Sequence, residues 1–145
     1  MFLKKIAVPA AVVLAVIAMA NAPSADEPKK ADEPQVAHIV FFTLAEDTPA
    51  ERKALLADIK KYLAGHKGTA YFSAGAIADD MNRSVNDREF QVSMNLVFVN
   101  RAAHDTYNDH PRHEEFKTKN KDRIAKVRVF DSYLPAAMMA AKASK

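Results

Sequence analysis

The sequence predicts one α+β domain, an antiparallel sheet with helices on one face, in the order βαββαβ. Three observations carry this. Residues 36–44, 89–99 and 127–134 alternate side chains with the period of two that a strand imposes. Helix starts at Thr48 and Asn100 separate them. And 145 residues, 49% hydrophobic and 27% charged, fill one core but not two.

The chain opens with Lys4 and Lys5, an apolar run over residues 6–19 broken only by Pro9, and small residues at Ala18 and Ala20. This is the pattern of a secretory signal over residues 1–20, its apolar run shorter than the roughly 20 residues needed to span a bilayer. The protein is therefore expected to be exported, to a periplasm or the extracellular space, and free of the membrane once the signal is cut. Without Lys4 and Lys5 the formal charge of +3 falls to +1, with 19 basic against 18 acidic residues. No Lys/Arg cluster lines one face among aromatics, so nucleic acid is not an expected partner. The absence of Cys excludes disulfides, thiolate metal sites, a Cys nucleophile and a lipid-modified N-terminal Cys. Residues 21–35 repeat Ala-Asp-Glu-Pro around Pro28 and Pro34 and read as a disordered linker.

The domain spans residues 36–135. In the first strand Val36, His38, Val40, Phe42 and Leu44 point one way, and Ala37, Ile39, Phe41 and Thr43 the other. Thr48, Pro49 and Glu51 supply an N-cap, a first helical residue and a capping box. Leu55, Leu56, Ile59, Tyr62 and Leu63 recur at helical spacing, and Gly65 and Gly68 end the helix. Residues 69–78 form a weaker strand, and residues 79–87 a polar turn. Residues 89–99 form a third strand in which Phe90, Val92, Met94, Leu96 and Phe98 share a face. Asn100 caps a helix over residues 101–109, and Pro111 breaks it. A second helical piece runs to about Ala125, with Phe116 and Ile124 as its apolar contacts. Residues 127–134 are the last strand, and residues 136–145 an Ala/Met/Lys tail.

This order is the split βαβ, or ferredoxin-like, layout. Its helices cover one face of the sheet, yet the first strand is apolar on both. The simplest cover for the second face is the same sheet of another copy, so a homodimer closing into an α/β barrel is expected.

Chemistry concentrates in residues 105–113, which hold Tyr107, His110, Pro111 and His113 in a chain with five His and four Tyr. With Pro111 at the first helical position, His110 falls at the N-cap and His113 in the first turn, where the positive helix end disfavours imidazolium. His113 can then accept a proton, and Tyr107 can orient or stabilise a developing oxyanion. The bland alternative has His110 capping and His113 bonding a carbonyl. First and last strands are antiparallel neighbours in this layout, which places His38 near Asp131. The carboxylate could fix a tautomer for catalysis or simply satisfy a buried imidazole. His104, His110 and His113 lie close enough in sequence to suggest a metal. Pro111 distorts their register, and no His-Glu-x-x-His follows, so neither metal nor cofactor is expected.

Residues 36–42, the Thr48-Pro49 helix start, Tyr107 with His110-Pro111-x-His113, and Val129-Phe130-Asp131 together resemble the stress-responsive A/B barrel (Dabb) family. The resemblance covers residues 36–134. It implies a dimeric α+β barrel. The family includes plant stress proteins without established catalysis and olivetolic acid cyclase, which closes a ring by aldol chemistry. The cyclase is similar at Tyr107, His113, His38 and Asp131, and the resemblance implies catalytic roles for Tyr107 and His113, with His38, His110 and Asp131 supporting. Three functions stay open. The preferred one is a module binding a small, partly apolar molecule between sheet and helices. The second is a cofactor-independent cyclase, aldol enzyme or isomerase with His113 as base and Tyr107 as orienting donor. The third is a structural, stress-protective particle without catalysis.

Overall fold

The computed structural model describes residues 33–135; the expected signal, all but the last three residues of the linker, and the C-terminal tail lie outside them. The elements run β1 (Gln35–Leu44), α1 (Pro49–Tyr62), β2 (Thr69–Ala76), β3 (Val92–Phe98), α2 (Arg101–Asn108), α3 (Pro111–Asn120) and β4 (Ile124–Leu134). The sheet is antiparallel throughout, in the order β2-β3-β1-β4. This is the ferredoxin-like topology, with the first and last strands side by side. Among the described residues no helix is long and apolar enough to cross a membrane.

The alternation in β1 decides which face the helices take. Val36, Val40, Phe42 and Leu44 are buried beside Val92, Met94, Leu96 and Phe98 of β3. Leu55, Ile59 and Leu63 of α1 (Leu63 being its C-cap), Tyr107 of α2 and Phe116 of α3 close over them. Each such side chain contributes about 1.5–3 kcal/mol by leaving water. Helix α1 starts as its sequence requires, with the Thr48 hydroxyl accepting from the Glu51 amide at 3.1 Å. The capping box is only half formed. The Glu51 carboxylate turns instead to Arg123 Nε at 2.6 Å, an ion pair not legible from local spacing. Arg123 also reaches Asp58, which accepts from Lys119 as well, so buried charge ties α1 to the end of α3.

Two expectations need correction. Bends at Glu89 and Gln91 stop the strand alternation before Val92. Phe90 therefore lies on the helix-free face, edge-on to Phe41 at 4.8 Å, rather than in the core row. Helix α3 ends at Asn120, because a turn over residues 121–123 returns the chain to the sheet. Ile124 consequently opens β4, opposite Leu44, instead of extending the helix.

Both faces of the sheet keep apolar surface. On the helix-free face Ile39, Phe41 and Val97 are half-buried, while Tyr71 and Phe130 are 55% and 53% exposed. On the other face the helices cover β1 and β3 but not β4, where Val127 and Val129 remain about half exposed. The uncovered strip is where the cavity lies.

Candidate functional site

Between the β1/β4 side of the sheet and α2/α3 lies a cavity of about 490 Å³. Its long wall is apolar, built from Val40, Phe42, Met94, Phe116, Val127 and Val129. Its polar end holds His38, His104, Tyr107, His113 and Asp131, and Lys117 and Lys121 also contribute to its lining.

The strand register positions the first pair. His38 lies directly opposite Asp131, and its Nδ1 donates to Asp131 Oδ1 at 2.7 Å. Burial pulls the His38 pKa below its ordinary value of 6.5, and the Asp131 hydrogen bond opposes this only in part. The imidazole is thus held neutral with its proton on Nδ1.

The break at Pro111 positions the second pair. Tyr107 lies in the last turn of α2, and His113 occupies the first turn of α3, their rings stacked at 4.8 Å. His113 Nδ1 donates to the Asn108 carbonyl at 3.0 Å, a carbonyl released from helix bonding where α2 stops. In the neutral ring that bond leaves Nε2 as an unprotonated base. Tyr107 is 1% exposed, and its hydroxyl has no hydrogen-bond partner among the described residues. Burial also pushes its pKa well up, so it stays a neutral donor.

His110 is not in the cavity wall. Its Nδ1 accepts from the Arg112 amide at 3.1 Å, which caps α3, and its ring meets His66 edge-on at 4.6 Å. Two histidines gain weight that the sequence did not give them. His66, in the loop after α1, stands edge-on to Tyr107 at 5.0 Å and donates Nε2 to the Tyr62 carbonyl. Only its position beside Gly65 marked it, and that signals a turn rather than a site. His104, grouped with His110 and His113 by spacing, instead faces His38 at 5.2 Å between ring centres. All five histidines therefore join one ring cluster around Tyr107.

A βαββαβ sheet with a half-apolar cavity ending in imidazoles and a phenol defines a small ferredoxin-like α+β domain of the kind that pairs into barrels. The sequence model of the stress-responsive A/B barrel (Dabb) domain matches residues 36–134, and the chain belongs to that family. Among solved structures, a Dabb-family protein of ferredoxin-like fold from Mesorhizobium loti is 25% identical, with a TM-score of 0.57 over 69% of this chain and 96% of its own. A dimeric ferredoxin-like protein of unknown function from Thermobifida fusca is 16% identical, with a TM-score of 0.57 over 70% of this chain and 92% of its own. The hydroxynitrile lyase of Passiflora edulis is 19% identical, with a TM-score of 0.57 over 71% of this chain and 95% of its own. A search of curated protein sequences finds no match.

Proposed function

We propose that this chain is an exported protein that pairs with a second copy and binds a small, partly apolar molecule in its cavity. The observation that carries the reading is the cavity, which falls in the range of about 300–1,000 Å³ common for small-molecule sites. Its apolar wall would take a hydrocarbon or aromatic body. Its imidazole end would take one or two oxygen atoms. Pairing is supported by the apolar helix-free face and by relatives described as dimeric. Export is supported by the basic start and apolar run of residues 1–20.

The test is native mass spectrometry of the protein purified from its exported fraction, beside Val40→Phe, which places a ring in the cavity wall. A dimer with a discrete adduct, lost in Val40→Phe, supports binding. An adduct unchanged by Val40→Phe would move the ligand out of this cavity, and a monomer would remove the pairing.

One arrangement favours catalysis as the second reading. The His113 ring lines the cavity, is fixed by its Nδ1 contact with the Asn108 carbonyl and stacks on a neutral phenol donor. With an enolisable carbonyl compound, His113 would remove the α-proton and Tyr107 would donate to the enolate oxygen. His113→Ala should then abolish turnover while leaving the circular dichroism unchanged. Turnover retained in that variant would sink this reading and leave binding intact.

A further inference from the structure

Among the described residues, His38, His104 and Asp131 each bring one donor atom within 4.8 Å of the other two. They come from three elements, β1, α2 and β4, so no local motif announces them. We propose that these three side chains bind a divalent first-row transition cation, zinc in the first instance, with its open position facing the cavity. The inference does not depend on the cavity holding an organic ligand.

Four features support it. The donor set is two imidazoles and one carboxylate, which suits zinc and its neighbours better than calcium or magnesium. Two of the separations already approach coordination. His38 Nδ1 lies 2.7 Å and His104 Nε2 3.9 Å from Asp131 Oδ1. Donors at zinc distances stand about 3.4 Å apart in a tetrahedral site, so each of these two separations changes by less than about 1 Å, and the third pair, His38 with His104, lies within 4.8 Å.

The third feature is the orientation of His104. Its Nδ1 lies 3.2 Å from Asp105 Oδ1, which leaves Nε2, the nitrogen facing Asp131, as the lone-pair donor. A carboxylate behind a ligating histidine is the usual support for a metal-bound imidazole. The Asn108 side-chain amide lies within hydrogen-bond distance of both ring nitrogens of His104, 3.4 Å from Nδ1 and 3.3 Å from Nε2, and a bound ion would displace it from Nε2.

Access and exclusion complete the case. Asp131 is half exposed and, with His104, also lines a surface cleft of about 160 Å³, which gives an ion a way in. All three residues line the main cavity, so the fourth position opens on it. Arg101 borders the cleft, but Asp105 pairs with it at 2.7 Å and offsets its charge. On binding, the His38 proton moves from Nδ1 to Nε2 by exchange through solvent, and the metal takes the Nδ1 lone pair.

The test is calorimetric titration of the metal-free protein with zinc, and with cobalt to read the visible spectrum of the bound ion. One ion per chain is expected. His104→Ala and Asp131→Asn should abolish binding, and Asp105→Asn should weaken it by roughly 10- to 100-fold. His110→Ala and His113→Ala should bind as the parent does. Asp131→Asn alters a half-exposed side chain, so it reports even if His104→Ala fails to fold. No binding to the parent protein would overturn the proposal, as would parental affinity in Asp131→Asn or an equal loss in His110→Ala. Because zinc is the probe, failure here leaves the organic-ligand reading untouched, and the converse holds.

Discussion

Tyr107→Phe should raise stability while weakening ligand binding, and the opposite signs make it the sharpest test of the cavity. The Tyr107 hydroxyl is buried in the core and has no partner among the described residues. A buried donor left unpaired costs about 1–3 kcal/mol, whereas an intramolecular hydrogen bond contributes only about 0.5–1.5 kcal/mol. Removing the oxygen relieves most of that cost and leaves a gap smaller than a methyl group. The ring keeps its stacking on His113 and its contact with Phe98. The net gain should be about 1 kcal/mol, or roughly 4–8 °C in Tm for a domain of this size. The assay is urea denaturation of the ligand-free protein, read as a shift in midpoint at unchanged m-value. If the hydroxyl is held for a ligand oxygen, the same variant should bind that ligand roughly 2- to 12-fold more weakly. A ligand-free Tyr107→Phe destabilised by more than about 1 kcal/mol would refute the reasoning, because the hydroxyl would then be paired in the free protein.

Three further outcomes follow from the same geometry. Burial holds His38 and His66 below their ordinary pKa of 6.5, so the unfolded chain takes up protons first as pH falls. Their contribution is complete above 6.5 and lost as pH drops through the folded values; denaturation midpoints should decline across that window, and His38→Asn should flatten the decline. Val40→Phe should cost about 1–3 kcal/mol, because Val40 is 3% exposed among its core neighbours and only part of the larger ring can reach the cavity, which differential scanning calorimetry will show. Gly68→Ala should cost more than Gly65→Ala in the same measurement. Both glycines have positive φ, but a Cβ on Gly68 would also meet Ala103 Cβ at 2.5 Å, whereas Gly65 faces open space.

Much of this was legible because strands speak through a period of two. The alternation of β1 set its buried face, and the layout alone places His38 near Asp131, where the register sets them opposite each other. Pro111 likewise marked the joint between α2 and α3 that brings Tyr107 beside His113. What escaped depends on partners far away in sequence. Glu51 abandoned its capping box for Arg123, 72 residues on, where a half-exposed ion pair won over a local bond. Phe90 continued the alternation on paper, but two bends turned it over. His66 carried no signal because a loop imidazole gains meaning only from the rings it meets, and those lie on α2 and at the start of α3.

The gathering of all five histidines around Tyr107 has a practical side. In most proteins the imidazole signals of a magnetic-resonance spectrum mix a site with scattered surface residues. Here every such resonance originates within one ring cluster. The chain has no background histidine to subtract, so an added ion, a bound molecule or a change of pH writes its effect on five reporters at once. For His38 and His66, neighbouring imidazoles add to burial in lowering the pKa, so these two signals report on the cluster as well as on their own rings.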